Sequence, residues 1–102
     1  MTSKLSDPIT LVAPIERPNA SPITTVTLRK PLAGELRGLK LMEVMRMDVA
    51  SHIMLLPRIT EPALMPDELD QMDPADFMSL VAGVMGFFVA PDQLAAVMAA
   101  QP

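Results

Sequence analysis

The segment Thr24-Thr-Val-Thr-Leu-Arg-Lys-Pro-Leu-Ala-Gly-Glu-Leu-Arg-Gly38 contains the change from strand to helix that decides the fold. It begins as an alternating strand, with Thr25 and Thr27 on one face and apolar residues on the other. Pro31 ends this strand because proline has no N–H for a ladder hydrogen bond. The residues that follow, Ala33 to Gly38, predict a short polar helical turn. The segment is therefore an ordered junction, and it carries no catalytic chemistry.

The sequence on both sides of this junction indicates an α+β fold. Ile9 to Ala13 is a second candidate strand, which can pair with Ile23–Arg29 as a hairpin across a proline-rich loop. Helical patterns follow around Leu36, over Leu41–Leu56 up to Pro57, at Pro66–Gln71, from Pro74 to Phe88 and at Pro91–Ala100. We predict a flexible N-terminal arm (residues 1–8) and one domain (9–102), with a β-hairpin at about 9–30 and a bundle of four to five short helices at about 33–100.

The clearest helical pattern begins at Asp73, which can cap the helix, with Pro74 at the first helical position. Asp76 falls in the first turn, where acids are favoured. An apolar stripe then runs through Phe77, Leu80, Val81, Val84, Met85 and Phe88. Gly83 and Gly86 each cost about 1 kcal/mol relative to alanine in a helix, so they predict close packing of another element.

Methionine is unusually frequent in this chain. Ten of its 102 residues are Met, whereas three are Phe and none is Trp, Tyr or Cys. Because methionine is flexible and polarizable, it can fill irregular gaps in a core or form an adaptable contact surface. Both interpretations are open. The absence of cysteine excludes disulfides, thiolate metal sites and thiol nucleophiles from this sequence.

Charge divides the chain into two halves. Up to Arg58 there are eight basic and five acidic residues, which leaves +3, and from Ile59 onward there are seven acidic residues and no basic one. The net charge of −4 argues against nucleic acid as a partner, although Arg29, Lys30, Arg37 and Lys40 form either a small basic patch or a solvated edge.

The longest uncharged stretch has 15 residues, and a membrane span needs about 20, so we expect no membrane partner.

No set of residues predicts catalysis, a cofactor or a metal. His52 is the only histidine, and its neighbours are poor ligands. The acids between Asp67 and Asp76 lack the order of a calcium loop and are better explained as helix-start acids. Nucleotide-binding, hydrolase and metalloprotease motifs are absent, so we do not expect an enzyme.

Since no catalytic or metal site is predicted, the candidate function is binding of a partner at the protein surface. The candidate partner-binding residues lie off the main stripe and in the last helix, at Phe87, Val89, Leu94, Val97 and Met98. The alternative for Leu94–Met98 is a C-terminal helix docked on its own core. A second copy of the chain is a further candidate partner, through the edge of the hairpin.

Two segments, Thr25–Gly38 and Leu55-Leu-Pro-Arg-Ile-Thr60 running into Leu69–Asp76, resemble the small tail assembly chaperones of long-tailed phages, of the type found in Mu-like phages, related myophages and prophages. The resemblance extends from about Ile9 to Phe88. It implies a protein of the host cytoplasm that is absent from the mature virion. Such a protein would bind the tape measure protein and keep it soluble while the tail tube protein, another candidate partner, polymerises around it.

The same resemblance implies that this chain is the short form, or the unshifted product, of a gene that often also yields a frameshifted long form. Two alternatives remain open. One is a small structural tail or connector protein of the virion, and the other is an accessory or regulatory domain of unrelated origin.

Overall fold

The predicted hairpin, followed by helices, is present in the computed structural model, which describes residues 5, 6 and 8–88. The elements, in chain order, are β1 (Ile9–Ile15), β2 (Ile23–Leu28), a 3-10 helix (Ala33–Leu36), α1 (Leu41–Met45), α2 (Val49–Ile59), β3 (Thr60–Glu61), α3 (Pro66–Asp70) and α4 (Pro74–Gly86). The α+β class is confirmed. The last predicted helix, Pro91–Ala100, lies outside the described residues. Among the described helices, none has the length and apolar character needed to cross a bilayer.

The three strands form one antiparallel sheet with β2 at its centre. Ile9 of β1 lies opposite Val26, and Thr60 of β3 lies opposite Leu28. The alternation predicted for β2 is confirmed, because Val26 and Leu28 are fully buried and Thr25 is exposed. Strand β3 has no counterpart in the sequence prediction, since two residues are too few to alternate.

Two residues of the predicted N-terminal arm extend the sheet. Leu5 forms an antiparallel bridge with Arg29. Ser6 donates its N–H to the carbonyl of Leu28 (2.7 Å), and its hydroxyl accepts the N–H of Leu28 (2.9 Å). Residues 1–4 and 7 of that arm lie outside the described residues.

The core is built from branched aliphatic side chains. Helix α4 packs on β1 and β2, while α2 packs on α1, α3 and the 3-10 helix. The cluster of buried side chains comprises Leu11, Ile23, Val26, Leu28, Val44, Leu55, Leu56, Ile59, Leu64, Leu69, Leu80 and Val84. Burial of these side chains, at about 1.5–3 kcal/mol each, is the main stabilising contribution.

Helix α4 begins as the sequence predicts. The Asp73 carboxylate caps it by accepting the Ala75 N–H at 2.8 Å, and Pro74 is the first helical residue. Leu80 and Val84 are fully buried, so the core face of the predicted stripe is confirmed.

Asp76 lies in the first turn of α4, but its role goes beyond the helix. Its side chain is 1% exposed, and its two carboxylate oxygens accept the N–H groups of Val12 (2.7 Å) and Ala13 (2.9 Å). These N–H groups lie where the register of β1 against β2 shifts. Since Pro14 has no N–H, residues 12–14 offer no free backbone donor to another strand. Pairing of a second copy along the hairpin edge stays a prediction.

The single helix predicted over Leu41–Leu56 is wrong, because the chain breaks it into α1 and α2. Met47 has a φ of 63°, which is the left-handed conformation and cannot continue a helix. Asp48 then caps α2, and its carboxylate accepts the N–H and the hydroxyl of Ser51 at 2.9 and 2.8 Å. The apolar spacing persists across this break, so periodicity alone does not detect it.

The prediction that Pro57 ends the helix is also wrong. Pro57 lies inside α2, which continues to Ile59. Proline removes one helical hydrogen bond, but Leu55, Leu56 and Ile59 around it are fully buried. In addition, Arg29 donates its backbone N–H to the carbonyl of Ile59 at 2.7 Å. Tertiary packing therefore outweighs the local preference of proline.

The two glycines of α4 occupy different surroundings. A Cβ built on Gly83 would lie 2.6 Å from Leu28 Cδ1 and 3.3 Å from Ile9 Cδ1, whereas one on Gly86 meets nothing within 4 Å. The close packing predicted from these glycines is thus confirmed at Gly83 and wrong at Gly86.

This difference predicts that alanine substitutions at the two glycines change the free energy of unfolding in opposite directions. Gly86→Ala should raise the free energy of unfolding by up to about 1 kcal/mol, because alanine is the better helix former. Gly83→Ala should lower it by about 1 kcal/mol, because overpacking against the fully buried Leu28 exceeds the helical gain. Urea denaturation measures both values. Equal stabilisation by the two substitutions would contradict the packing of α4 on the sheet.

Candidate partner-binding surface

The methionines lie on the surface and not in the core. Of the eight described methionines, two are half-buried and six are exposed, namely Met42, Met45, Met47, Met54, Met65 and Met78. None of the eight belongs to the buried cluster. The first of the two interpretations, a core filled with methionine, is therefore wrong for the described residues. The second, a contact surface, is favoured.

Exposed apolar side chains are most closely spaced along the chain in helix α1 and in the turn after it. In α1 only Val44 is buried, so its other apolar side chains face solvent. The α1 patch is defined here as Leu41, Met42, Met45, Met47 and Val49, and all five side chains are exposed. His52 fixes α1 to α2, because its buried Nε2 lies 2.9 Å from the carbonyl oxygen of Val44. The sole histidine is thus a structural residue in this arrangement.

A groove of about 390 Å³ opens beside the α1 patch, between α2 and α4. Helix α2 contributes Val49 and Ile53, which lie one turn apart on one face. The start of α4 contributes Pro74 and Phe77. The lining is completed by residues of α3 and its connection to α4, which are Leu69, Asp70 and Met72. The groove and the α1 patch share Val49, so the two form one continuous surface.

An ion pair holds α3 in its place beside the groove. Arg17, in the loop between β1 and β2, donates from Nε and Nη2 to the two carboxylate oxygens of Glu68, both at 2.8 Å. The same Nη2 donates to the carbonyl of Ala63 at 2.6 Å. Glu68 also accepts the N–H of Met65 at 2.8 Å. The hydrogen bond from Arg17 holds the pKa of Glu68 below its ordinary value.

The end of α2 is held by a network of three charged residues, the Arg29–Glu35–Arg58 network. Arg29 donates from Nη1 and Nη2 to the carboxylate of Glu35 at 3.1 and 2.9 Å, and Nη2 also donates to the carbonyl of Arg58. Arg58 donates from Nη1 to the carbonyls of Glu35 and Arg37. Of the basic residues of the predicted patch, Arg29 takes part in this junction through its side chain and Arg37 through its backbone carbonyl.

Of the five predicted contact residues, one lies within the described part of the chain. Phe87 is half-buried and packs against the core cluster. Val89, Leu94, Val97 and Met98 lie outside the described residues, and their role stays a prediction. The sequence pattern does not identify the α1 patch, because the same helical spacing of methionine and leucine is also typical of a buried core face. Among the described residues, no group of three metal-ligating side chains comes together.

Comparison with known proteins identifies similar sequences. Residues 8–89 match the family described as phage tail assembly chaperone proteins, E, or 41 or 14. Tail assembly protein E' of Escherichia phage P2 is 42% identical over 82 residues, which cover 80% of this chain and 57% of that protein. Tail assembly protein E of the same phage is 40% identical over 79 residues, which cover 78% of this chain and 86% of that protein. No solved structure matches.

The Arg29–Glu35–Arg58 network predicts how stability depends on pH. The hydrogen bonds from Arg29 hold the pKa of Glu35 below its ordinary value, so Glu35 stays ionised to a lower pH in the folded chain than in the unfolded chain. Its stabilisation is complete above the unfolded pKa of about 4.3 and is lost as the pH falls through the folded pKa. Glu35→Gln should therefore cost about 1 kcal/mol at pH 7 and less at pH 3.

Urea denaturation of the wild type and the variant at both pH values measures this difference. Glu43→Gln is the matched control, because the Glu43 side chain makes no hydrogen bond or ion pair within the described part of the chain. A Glu35→Gln cost that stays constant from pH 7 to pH 3 would contradict the role of the carboxylate.

Proposed function

The chain belongs to the family of phage tail assembly chaperones, and on this premise we propose that it binds the tape measure protein and keeps it soluble during assembly of the tail tube. The observation that carries the proposal is the exposure of methionine and leucine on the α1 patch. A protein that needed no partner would lose nothing by burying these side chains or replacing them with polar ones. This family is not an enzyme class.

The chemistry of the surface suits a long helical partner. Methionine side chains adapt to different neighbours, so one surface can contact successive apolar segments of a repetitive helix. The acids from Ile59 onward keep the net charge of the chain negative, which favours solubility of the complex. We place this activity in the host cytoplasm and expect the protein to be absent from the mature virion.

Co-expression with the tape measure protein tests the proposal. The wild type should keep the tape measure protein in the soluble fraction. Met42→Glu with Met45→Glu should weaken the interaction by roughly tenfold or more, because charges at the centre of an apolar interface are costly. Both side chains are exposed, so the double variant should unfold at the same temperature as the wild type.

Met54→Glu with Met65→Glu is the matched control, since both methionines are exposed and lie outside the α1 patch and the groove. The control should leave the tape measure protein soluble. A wild type that does not solubilise the tape measure protein would refute the proposal, as would a stoichiometric amount of the chain in purified particles.

A further inference from the structure

The groove between α2 and α4 combines an apolar lining with charge of one sign. Six of the seven lining residues are apolar, and the seventh is Asp70, whose side chain is exposed. The Asp70 carboxylate has no hydrogen bond or ion pair within the described part of the chain. Arg46 ends α1 and does not line the groove. The charge that a ligand in the groove would meet is therefore negative.

Three other acids near this end of the molecule are already engaged. Glu68 is paired with Arg17, the Asp76 carboxylate binds the backbone of β1, and Asp73 caps α4. Each of these carboxylates already accepts hydrogen bonds from the protein. Asp67 is also exposed and without a side-chain partner in the described part of the chain, but it does not line the groove. Asp70 is therefore the uncompensated acid at the wall of the apolar groove. A basic group on a bound partner would supply the compensation.

The geometry of the lining fits a helix. Val49 and Ile53 on α2 face Pro74 and Phe77 on α4, and Met72 lies at the connection between α3 and α4. A groove between two helices accepts the apolar side chains of a third helix at one-turn spacing. The volume of about 390 Å³ holds a few aliphatic side chains of such a helix, with its backbone outside the groove.

We propose that this groove binds an amphipathic helix of the tape measure protein whose apolar face is flanked by lysine or arginine. The inference rests on the proposed function for the source of the helix. Apolar side chains of the helix enter between α2 and α4, and a flanking basic side chain pairs with Asp70. The α1 patch, continuous with the groove at Val49, contacts the next turns of the same helix.

Two synthetic helical peptides with one apolar stripe test the charge requirement. One peptide carries lysine and arginine beside the stripe, and the other carries glutamate at the same positions. In titrations of the full chain at low salt, the basic peptide should bind at least about tenfold more tightly. Asp70→Lys should reduce this preference by roughly three- to tenfold. Asp67→Lys, exposed on the same helix but outside the groove, should leave it unchanged.

The apolar part is tested by Val49→Glu, which should weaken binding of both peptides by tenfold or more. Val12→Glu is the matched control, because Val12 is 76% exposed on the sheet. Equal affinity of the two peptides would overturn the inference, and so would equal effects of Asp70→Lys and Asp67→Lys. A dimer of the wild type that Val49→Glu converts to a monomer would also overturn it, because a second copy would then occupy the groove.

Co-expression separates this inference from the proposed function. If the wild type and Val49→Glu solubilise the tape measure protein equally, the groove is refuted as its site and the proposed function stands. If the wild type binds the basic peptide but leaves the tape measure protein insoluble, the proposed function is refuted, and with it the assigned occupant of the groove.

Discussion

The Arg29–Glu35–Arg58 network is the polar interaction that ties the sheet to the helices, in a fold whose stability comes mainly from burial of the aliphatic core. Its three residues lie directly after β2, in the 3-10 helix and at the end of α2, and each guanidinium binds two partners. The backbone of Arg29 also binds the carbonyl of Ile59, directly before β3. Without this junction, the carbonyls at the end of α2 and in the turn after β2 would lack these hydrogen bonds. The network thus joins the central strand to the helix that carries one wall of the groove.

The same network lies within segments that carry the family resemblance. Its residues belong to the two segments on which the resemblance rests, Thr25–Gly38 and Leu55–Thr60. Arg29 must reach a carboxylate and a carbonyl, and Arg58 must reach two carbonyls. Lysine cannot replace either residue without loss, because it offers no planar set of donors. The junction thus constrains the residue type at these positions although it carries no catalytic chemistry.

Sequence reasoning succeeds here where the determinants are local. The alternation of Val26 and Leu28 and the capping of α4 by Asp73 depend on neighbouring residues, and both are confirmed. It fails where distant residues decide. Asp76 binds N–H groups more than 60 residues away in sequence, and Pro57 is accommodated by packing around it. The left-handed Met47 breaks a helix whose apolar spacing continues without interruption.

The candidate surface is a second case in which the sequence pattern alone is not enough. Helical spacing of methionine predicts an apolar face but not which way that face points. The core cluster is filled by leucine, isoleucine and valine, so the described methionines are left outside it. The branched aliphatic residues therefore form a rigid interior, and the methionines form an adaptable surface. The fold thereby supplies a stable frame for the surface that we propose as the partner-binding site.

Methionine oxidation in the complex is the most direct test of this account. Limited hydrogen peroxide oxidises exposed methionines, and mass spectrometry measures the rate at each residue. With the tape measure protein bound, Met42 and Met45 should be oxidised several times more slowly, whereas Met65 should keep its rate. Unchanged rates at Met42 and Met45 in a stoichiometric complex would contradict the account, because the partner would then bind elsewhere.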